Sequence, residues 1–533
     1  APTVAKSFST VAYTGNGGTQ NLDGFGFKPN LVWLKCRDTA HSHFLADSVR
    51  GATKYIMPNE TSSELTRTDQ IQSFDTDGFT LAGNSDVNGN TKSYISWAWK
   101  ADDNEPTIFG GPAKAVYKFE DNANDVTGTY NATASNVSYS SSGKFNKAAQ
   151  FNGSNSTMFL TSSGSSLVDY DSDFSVSFWF NVSSWATSAS TDFLWTGGGT
   201  RIINITLKGS TGLDADIWNS GSHLVSTTGL SENTWHHLVF TRSKASGMKL
   251  YIDGSLVDTN LYVGNAGSLS GKQDSIGTYW DNTRNNFTGK IDQFRIYDGV
   301  VTDDDVTALY QETASQNDDL TLGAPPKSIV SANANAGFSI VKYEGTGSNT
   351  QVPHGLSAAP EMVITKRTDT VANWTVGQFA ALGNDGYLKL NTTDSKITAT
   401  DVWNDTAPTS TVVNIGTSSA TNTSGGEYIS YCFHSVSGYS KFGSYTGNDS
   451  SNTITTGFQP DFVMLKNTSR AGTTWNIQDS VRGTTKYVMA QSSDSEYTDS
   501  GINLTFTSTG FTLNNSYEGW NENGDTYIYM AFK

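Results

Sequence analysis

Several sets of side chains in this sequence have types and spacings that could do chemistry. His236 and His237 follow Trp235 directly; two imidazoles could hold a metal or move a proton, but strand neighbours point to opposite faces, so one belongs in the core and the other outside. The run Asp121-Asn122-Ala123-Asn124-Asp125 is dense in oxygen donors, the ligands that calcium collects six to eight at a time. The same residues also build turns by bonding their own backbone. Trp195, Trp218 and Trp280, the last with Asn282 and Arg284 nearby, stand in loop-like stretches. Flat aromatic faces rimmed by polar groups suit sugar rings, and packing is the competing use. Arg50, Lys54 and Tyr55 recur as Arg482, Lys486 and Tyr487 around a fixed glycine, which reads as a structural ion pair or an arginine stacked on tyrosine.

Those residues must be positioned by strands. Comparing the chain with itself aligns Tyr13-Thr14-Gly15-Asn16 with Tyr445-Thr446-Gly447-Asn448, Leu31-Val32-Trp33-Leu34-Lys35 with Phe462-Val463-Met464-Leu465-Lys466, and Asp47-Ser48-Val49-Arg50-Gly51 with Asp479-Ser480-Val481-Arg482-Gly483. A weaker copy runs from Tyr343-Glu344-Gly345-Thr346 through Met362-Val363-Ile364-Thr365-Lys366 and lacks the Val-Arg-Gly segment. Each copy closes on an alternating strand such as Tyr94-Ile95-Ser96-Trp97-Ala98-Trp99, the pattern of one buried face. Units of about 100 residues predict small β-sandwiches strung as beads rather than a solenoid, whose repeats run to about 20–50 residues. The expected domains are a repeat over 1–101, a different module over 113–312, a divergent repeat over 327–435 and a last repeat over 436–533. Gly110-Gly111-Pro112 and Pro325-Pro326 break the chain at the edges of the inserted module. A single helix is expected after Thr302, which can cap the amides ahead of Asp303-Asp304-Asp305.

Composition agrees with an all-β, multidomain chain. It holds 13 Trp, 23 Tyr and 27 Phe with 51 Gly against 11 Pro, which favours strands and tight turns over disorder. A net charge of −17 without a basic patch argues against nucleic acid, whose phosphates need clustered Lys and Arg. No apolar run is long enough to span a membrane, and the opening Ala-Pro-Thr-Val-Ala-Lys carries no apolar leader, so a protein soluble as made is expected. Cys36 and Cys432 lie far apart and are expected as buried free thiols.

Within the inserted module, Tyr117-Lys118-Phe119-Glu120-Asp121, Phe151-Asn152-Gly153, Phe174-Ser175-Val176-Ser177-Phe178-Trp179, Leu250-Tyr251-Ile252-Asp253-Gly254 and Gly289-Lys290-Ile291-Asp292 resemble the successive strands of the concanavalin-A-like, laminin-G-type lectin domain. The resemblance implies a jelly roll of two curved sheets, often sugar-binding and often stapled by Ca2+. The positions matching the family's metal ligands are Asp121, Asp125, Gly153 and Asp292. Hydrolytic relatives carry Glu-x-Asp-x-Glu on one strand. That string is absent here, and Glu120, Glu232 and Glu312 are the only glutamates of the module. Because cleavage needs a positioned acid and base, a non-enzymatic protein is expected.

The repeats resemble a domain of virion proteins from marine and cyanobacterial tailed phages. That resemblance implies a virion surface protein, a fibre, knob or capsid decoration made in the host cytoplasm, presenting its lectin-like domain to host-surface glycans. Its expected partners are other virion proteins, in a homo-oligomer or larger assembly. A purely structural virion component and a secreted bacterial adhesin are the alternative readings.

Overall fold

In the computed structural model, the described residues are 6–101, 107–109, 113–126, 128–162, 166–168, 172–185, 191–197, 203–209, 211–218, 222–264, 273–279, 286–311, 328–499 and 504–533. They form an all-β chain divided into two compact units, one of residues 1–106 with 328–533 and one of residues 107–327.

The first unit holds all three repeats. In the first copy, strands Phe8–Thr14, Ser93–Trp99, Leu31–Cys36 and Phe44–Asp47 lie side by side, opposed by Gln20–Leu22, Gly78–Leu81 and Ile71–Asp75. The last copy repeats this with Ser440–Thr446, Thr526–Phe532, Phe462–Asn467 and Trp475–Asp479. The divergent copy does so with Phe338–Glu344, Glu427–Phe433, Met362–Arg367 and Trp374–Gln378. The recurring Tyr-x-Gly motif has a steric cause. A Cβ on Gly15, Gly345 or Gly447 would sit 2.3, 2.3 or 2.1 Å from the carbonyl oxygen of Gly89, Thr423 or Glu522. The preceding tyrosines stack on partners of the closing strand, Tyr13 on Tyr94, Tyr343 on Tyr428 and Tyr445 on Tyr527.

The copies are not beads. One apolar cluster takes Phe8, Trp97 and Trp99 from the first, Phe338, Tyr431 and Phe433 from the second and Phe462, Met530 and Phe532 from the third. The closing strands therefore bury both faces: Ile95, Trp97 and Trp99 face the shared core while Ala98 joins the core of its own sandwich. Alternation suggested one buried face because Ser96 and Ala98 are small. They are small because the facing sheet packs against them.

Equivalent bonds join each copy to the next, closing a ring. Trp374 Nε1 donates to Met57 O at 3.0 Å, Trp475 Nε1 to Lys389 O at 2.9 Å, and at the matching place in the first copy His43 Nε2 lies 3.1 Å from Met489 O. Trp33 Nε1 donates to His43 Nδ1 at 2.8 Å, which leaves the proton on Nε2 for Met489. Backbone amides repeat the stitch: Glu64 N to Thr368 O, Lys396 N to Thr468 O and Glu496 N to Arg37 O. Lys35 and Lys366 each send a buried ammonium to a carbonyl of the next copy, Ser493 and Thr61 respectively, while Lys466, the third equivalent, donates to Asn467 O and Thr473 Oγ1 within its own copy. Burial lowers all three ammonium groups to about 8.

The second unit is a two-sheet jelly roll. One sheet runs in the order Ser138–Ser140, Ala148–Asn152, Thr288–Tyr297, Phe174–Val182, Trp235–Ser243, Gly247–Ile252 and Ser255–Asn260, with Ala115–Tyr117 also paired to Thr288–Tyr297. The other runs Thr133–Ser135, Thr157–Phe159, Ser275–Ile276, Thr191–Gly197, Ile203–Lys208, Gly212–Trp218 and Ser222–Thr227. Val176, Phe178, Phe180, Leu238, Phe240 and Phe294 meet Trp195, Ile203, Ile205, Leu213 and Ile217 between the sheets. The expected helix is present as Asp303–Gln311. Thr302 Oγ1 accepts from Asp305 N at 3.1 Å and Asp305 Oδ2 accepts from Thr302 N at 2.7 Å, a reciprocal cap.

Candidate functional site

The jelly roll carries an open groove at the ends of Thr133–Ser135 and Thr157–Phe159. Its walls are Thr129, Tyr130, Asn131, Thr133, Phe159, Leu160, Thr161, Ser162, Ser166, Leu167 and Gln273. Two aromatic rings and a set of hydroxyl and amide groups are the chemistry of a sugar site: faces for C–H surfaces, and donors and acceptors for hydroxyls.

A buried carboxylate fixes one wall. Asp274 is fully buried and accepts from Ser166 Oγ at 2.8 Å and Leu167 N at 2.6 Å, while its own amide donates to Thr161 Oγ1 at 3.0 Å. The other wall is anchored by Tyr117, whose hydroxyl donates to Tyr130 O at 2.6 Å, and by Asn131, whose Oδ1 accepts from Asp125 N at 3.1 Å. Strand pairing of Thr133 with Phe159 holds the two walls in register.

Of the predicted sugar-site residues, only Trp195 has a described side chain, and it does not line the groove. Trp195 is not in a loop; it lies within strand Thr191–Gly197, fully buried, its ring 6.3 Å from Phe294. Thr196 and the glycines after it look like a loop in sequence, but Trp195 is the apolar filling of the sandwich. Trp218 closes strand Gly212–Trp218 opposite Ser222 in the ladder, and its side chain is outside the described residues. Trp280, Asn282 and Arg284 lie outside the described residues. Sequence reasoning missed the groove because hydroxyl and amide residues are common throughout this chain, and only Tyr130 and Phe159 could have marked it.

Three of the predicted calcium positions have side-chain partners within the protein. Asp125 is buried and spends Oδ1 on Val116 N at 2.8 Å and Oδ2 on Tyr130 N at 3.2 Å. Asp121 is exposed in a left-handed turn at φ 61° and pairs with Lys147. Gly153 takes φ 74° and donates its amide to Phe287 O at 3.1 Å. Asp292 is fully buried and accepts from Phe145 N at 3.0 Å; burial, with the Glu120 charge adding to it, pushes its carboxyl up to about 7. Among the described residues no three or more His, Cys, Asp or Glu side chains stand together to hold a metal ion.

The histidine pair divides as strand geometry requires. His237 is buried with Nε2 3.0 Å from Ser177 Oγ, and burial pushes it down to about 3. His236 faces out to Asp253 at 2.8 Å. The repeated basic residues form structural ion pairs: Arg50 with Asp47 and Arg482 with Asp479, both at 2.6 Å, with Lys54 on Glu64 and Lys486 on Glu496. Arg482 does lie over an aromatic ring, 5.3 Å from the centre of Trp97 rather than of a tyrosine. Cys36 and Cys432 are buried free thiols.

Fold and groove together define an all-β protein in which a concanavalin A-like domain interrupts a three-copy sandwich. Residues 151–307 match the concanavalin A-like lectin/glucanases superfamily. The chain belongs to the family described as domain of unknown function DUF7483, which it matches over residues 3–143 and 311–533, on both sides of that insertion. A curated relative, the botulinum-like toxin eBoNT/J of Enterococcus sp. (strain 3G1_DIV0629), is 31% identical over 91 residues, 17% of this chain and only 7% of the toxin. Among solved structures, domain 4 of AbnA, an extracellular arabinanase from Geobacillus stearothermophilus in complex with arabinotriose, is 25% identical at a TM-score of 0.31, covering 39% of this chain and 100% of that one. The CBM40 of a Ruminococcus gnavus sialidase, bound to sialyllactose, is 13% identical at a TM-score of 0.23, covering 30% of this chain and 97% of that one. Among the described residues no helix is long and apolar enough to cross a membrane.

Proposed function

We propose that the jelly roll is a glycan-binding module and that the three-copy unit is the scaffold that carries it on the surface of a phage virion, as fibre, knob or capsid decoration. The observation that carries the glycan reading is the groove built from Tyr130, Phe159 and neighbouring hydroxyls and amides on a lectin-type fold. Binding rather than cleavage is favoured because the glutamates of the module that are described have other work. Glu120 accepts from Lys147 N and Glu232 from Trp185 N, and no carboxylate lines the groove among the described residues.

A glycan array tests the reading, run with and without added calcium. Phe159→Ala should weaken binding by roughly 2–13-fold, the worth of about 0.5–1.5 kcal/mol for a ring contact. Silence towards every glycan in both conditions would favour a purely structural role, and release of sugar from a polysaccharide would defeat the non-enzymatic reading. A map of an intact virion would test the location, and an export signal upstream in the gene would promote the adhesin.

A further inference from the structure

We infer that Tyr117 and Asp125 are positioning residues for the aromatic wall of the groove, acting through Tyr130, which they hold from both sides. This rests on the glycan reading above and adds two residues on which its affinity depends. Tyr130 falls in the loop between strands Ala115–Tyr117 and Thr133–Ser135, so ladder pairing does not fix its peptide groups. Side chains take them instead, as backbone groups near a core require partners. Tyr130 N donates to Asp125 Oδ2 at 3.2 Å, and Tyr130 O accepts from the Tyr117 hydroxyl at 2.6 Å. Both planar peptides that flank the Tyr130 Cα are thereby held, which sets φ and ψ and leaves the ring only its side-chain torsions.

The two holders are themselves fixed more firmly than the half-buried residue they hold. Tyr117 is fully buried on a strand paired to Thr288–Tyr297, its ring 6.3 Å from that of Phe294. Burial, with the charges of Asp125 and Asp274 adding to it, raises the Tyr117 phenol well above its usual range, so the hydroxyl stays a donor. Asp125 is buried and bridged to Tyr117, and its other oxygen accepts from Val116 N at 2.8 Å. Its amide donates to Asn131 Oδ1 at 3.1 Å, tying the next groove residue to the same strand. A ring held in place before a sugar arrives escapes the ordering cost that a mobile one would meet on binding.

A double-mutant cycle on the full chain tests this. Tyr117→Phe, Tyr130→Ala and their combination are titrated with those members of a panel of neutral, uronic, sulfated and sialylated oligosaccharides that the unaltered chain binds. The titrations run at a temperature where thermal scans show every variant folded. Tyr117→Phe keeps the ring in the core and deletes only the hydroxyl; it should weaken binding by roughly 2–13-fold, the worth of one hydrogen bond. In the Tyr130→Ala background the same change should cost less than about twofold, because the group it positions is gone. Asp125→Asn, which replaces an accepting oxygen with an amide NH2, should repeat the pattern. A residue whose change costs the same in both backgrounds, or nothing in either, is overturned as a positioning residue while the glycan reading stands. Should the unaltered chain bind no member of the panel, the glycan reading falls and this inference with it.

Discussion

The Tyr431 hydroxyl donates to Asp47 Oδ2 at 2.8 Å across 384 residues of chain, and Trp97 Nε1 makes the same bond to Asp479 Oδ2 at 3.1 Å. In both places the carboxylate is fully buried and also accepts from the backbone amide and Nε of an arginine three residues on, Arg50 or Arg482. The matching pair at the third joint is Gln378 and Met530, neither charged, and Gln378 caps the helix Phe379–Leu382 instead. Chain connectivity gives a physical account of this asymmetry. Copies two and three are tied by the short run from Phe433 to Ser440, so they meet at high effective concentration whatever bonds they make. The first copy joins the second only through the 107–327 unit and the third through no chain at all. There the buried ion pairs persist.

Asp479→Asn leaves the buried Arg482 guanidinium with only the more distant Glu496 carboxylate, 3.6 Å away, as a charged partner. The expected loss is about 3–5 kcal/mol of unfolding free energy, against less than about 1.5 kcal/mol for Gln378→Met. Chemical denaturation of the full chain measures both, and equal losses would refute the distinction between latched and tethered joints.

Cutting the backbone between copies one and two should not separate them. With a protease site engineered at Asn317-Asp318, the two fragments should co-elute in native buffer and part in denaturant. Native separation after cleavage would mean that the stitches at Met57, Thr61 and Asp47 do not hold the first copy.

The three buried lysines predict a rise in stability with alkalinity. Lys35, Lys366 and Lys466 sit at about 8 when folded, below the ordinary 10.5. Between about 8 and about 10 the unfolded chain therefore keeps protons that the folded chain has released, and stability increases with pH across that window. Above it the buried tyrosines, raised when folded, reverse the trend. Thermal scans should show the rise, and Lys366→Met should flatten it by about a third if the sites act independently.

Gly447→Ala should destabilise the last copy, since the new Cβ would lie 2.1 Å from Glu522 O, a backbone atom with nowhere to go. About 1–3 kcal/mol is expected. Gly457→Ala meets no atom within 4 Å and pays only for its φ of 88°, about 1 kcal/mol. A larger loss at Gly457 than at Gly447 would contradict the steric explanation of the repeated motif.

Much of this was legible in the residues, and the failures have causes. Phe174-Ser175-Val176-Ser177-Phe178 alternates because one sheet face is core, and Thr302 caps its helix through a local hydrogen bond, so both could be read from neighbours in sequence. The shared core of the repeats could not. Phe8 meets Phe532 at 5.0 Å and Trp97 meets Phe462 at 5.7 Å, pairings that no local pattern encodes. A hint was present in Lys35 and Lys466, lysines in the middle of apolar strands, which a two-layer sandwich with one wet face would have turned to solvent. The groove was hidden for the opposite reason: its residues are ordinary strand-end hydroxyls, distinguished only by where the fold collects them.

A ring that shuts between its first and last members sets a schedule for biosynthesis. Trp97 has to wait for Phe462 and Asp479 to leave the ribosome, and Arg37 for Glu496, 459 residues behind it. At roughly 5–20 residues per second that delay is on the order of half a minute to a minute and a half. Throughout it the nascent chain carries an uncovered aromatic sheet. Yield in the cell should accordingly depend on chaperone supply and translation speed more steeply than the finished protein's stability would suggest.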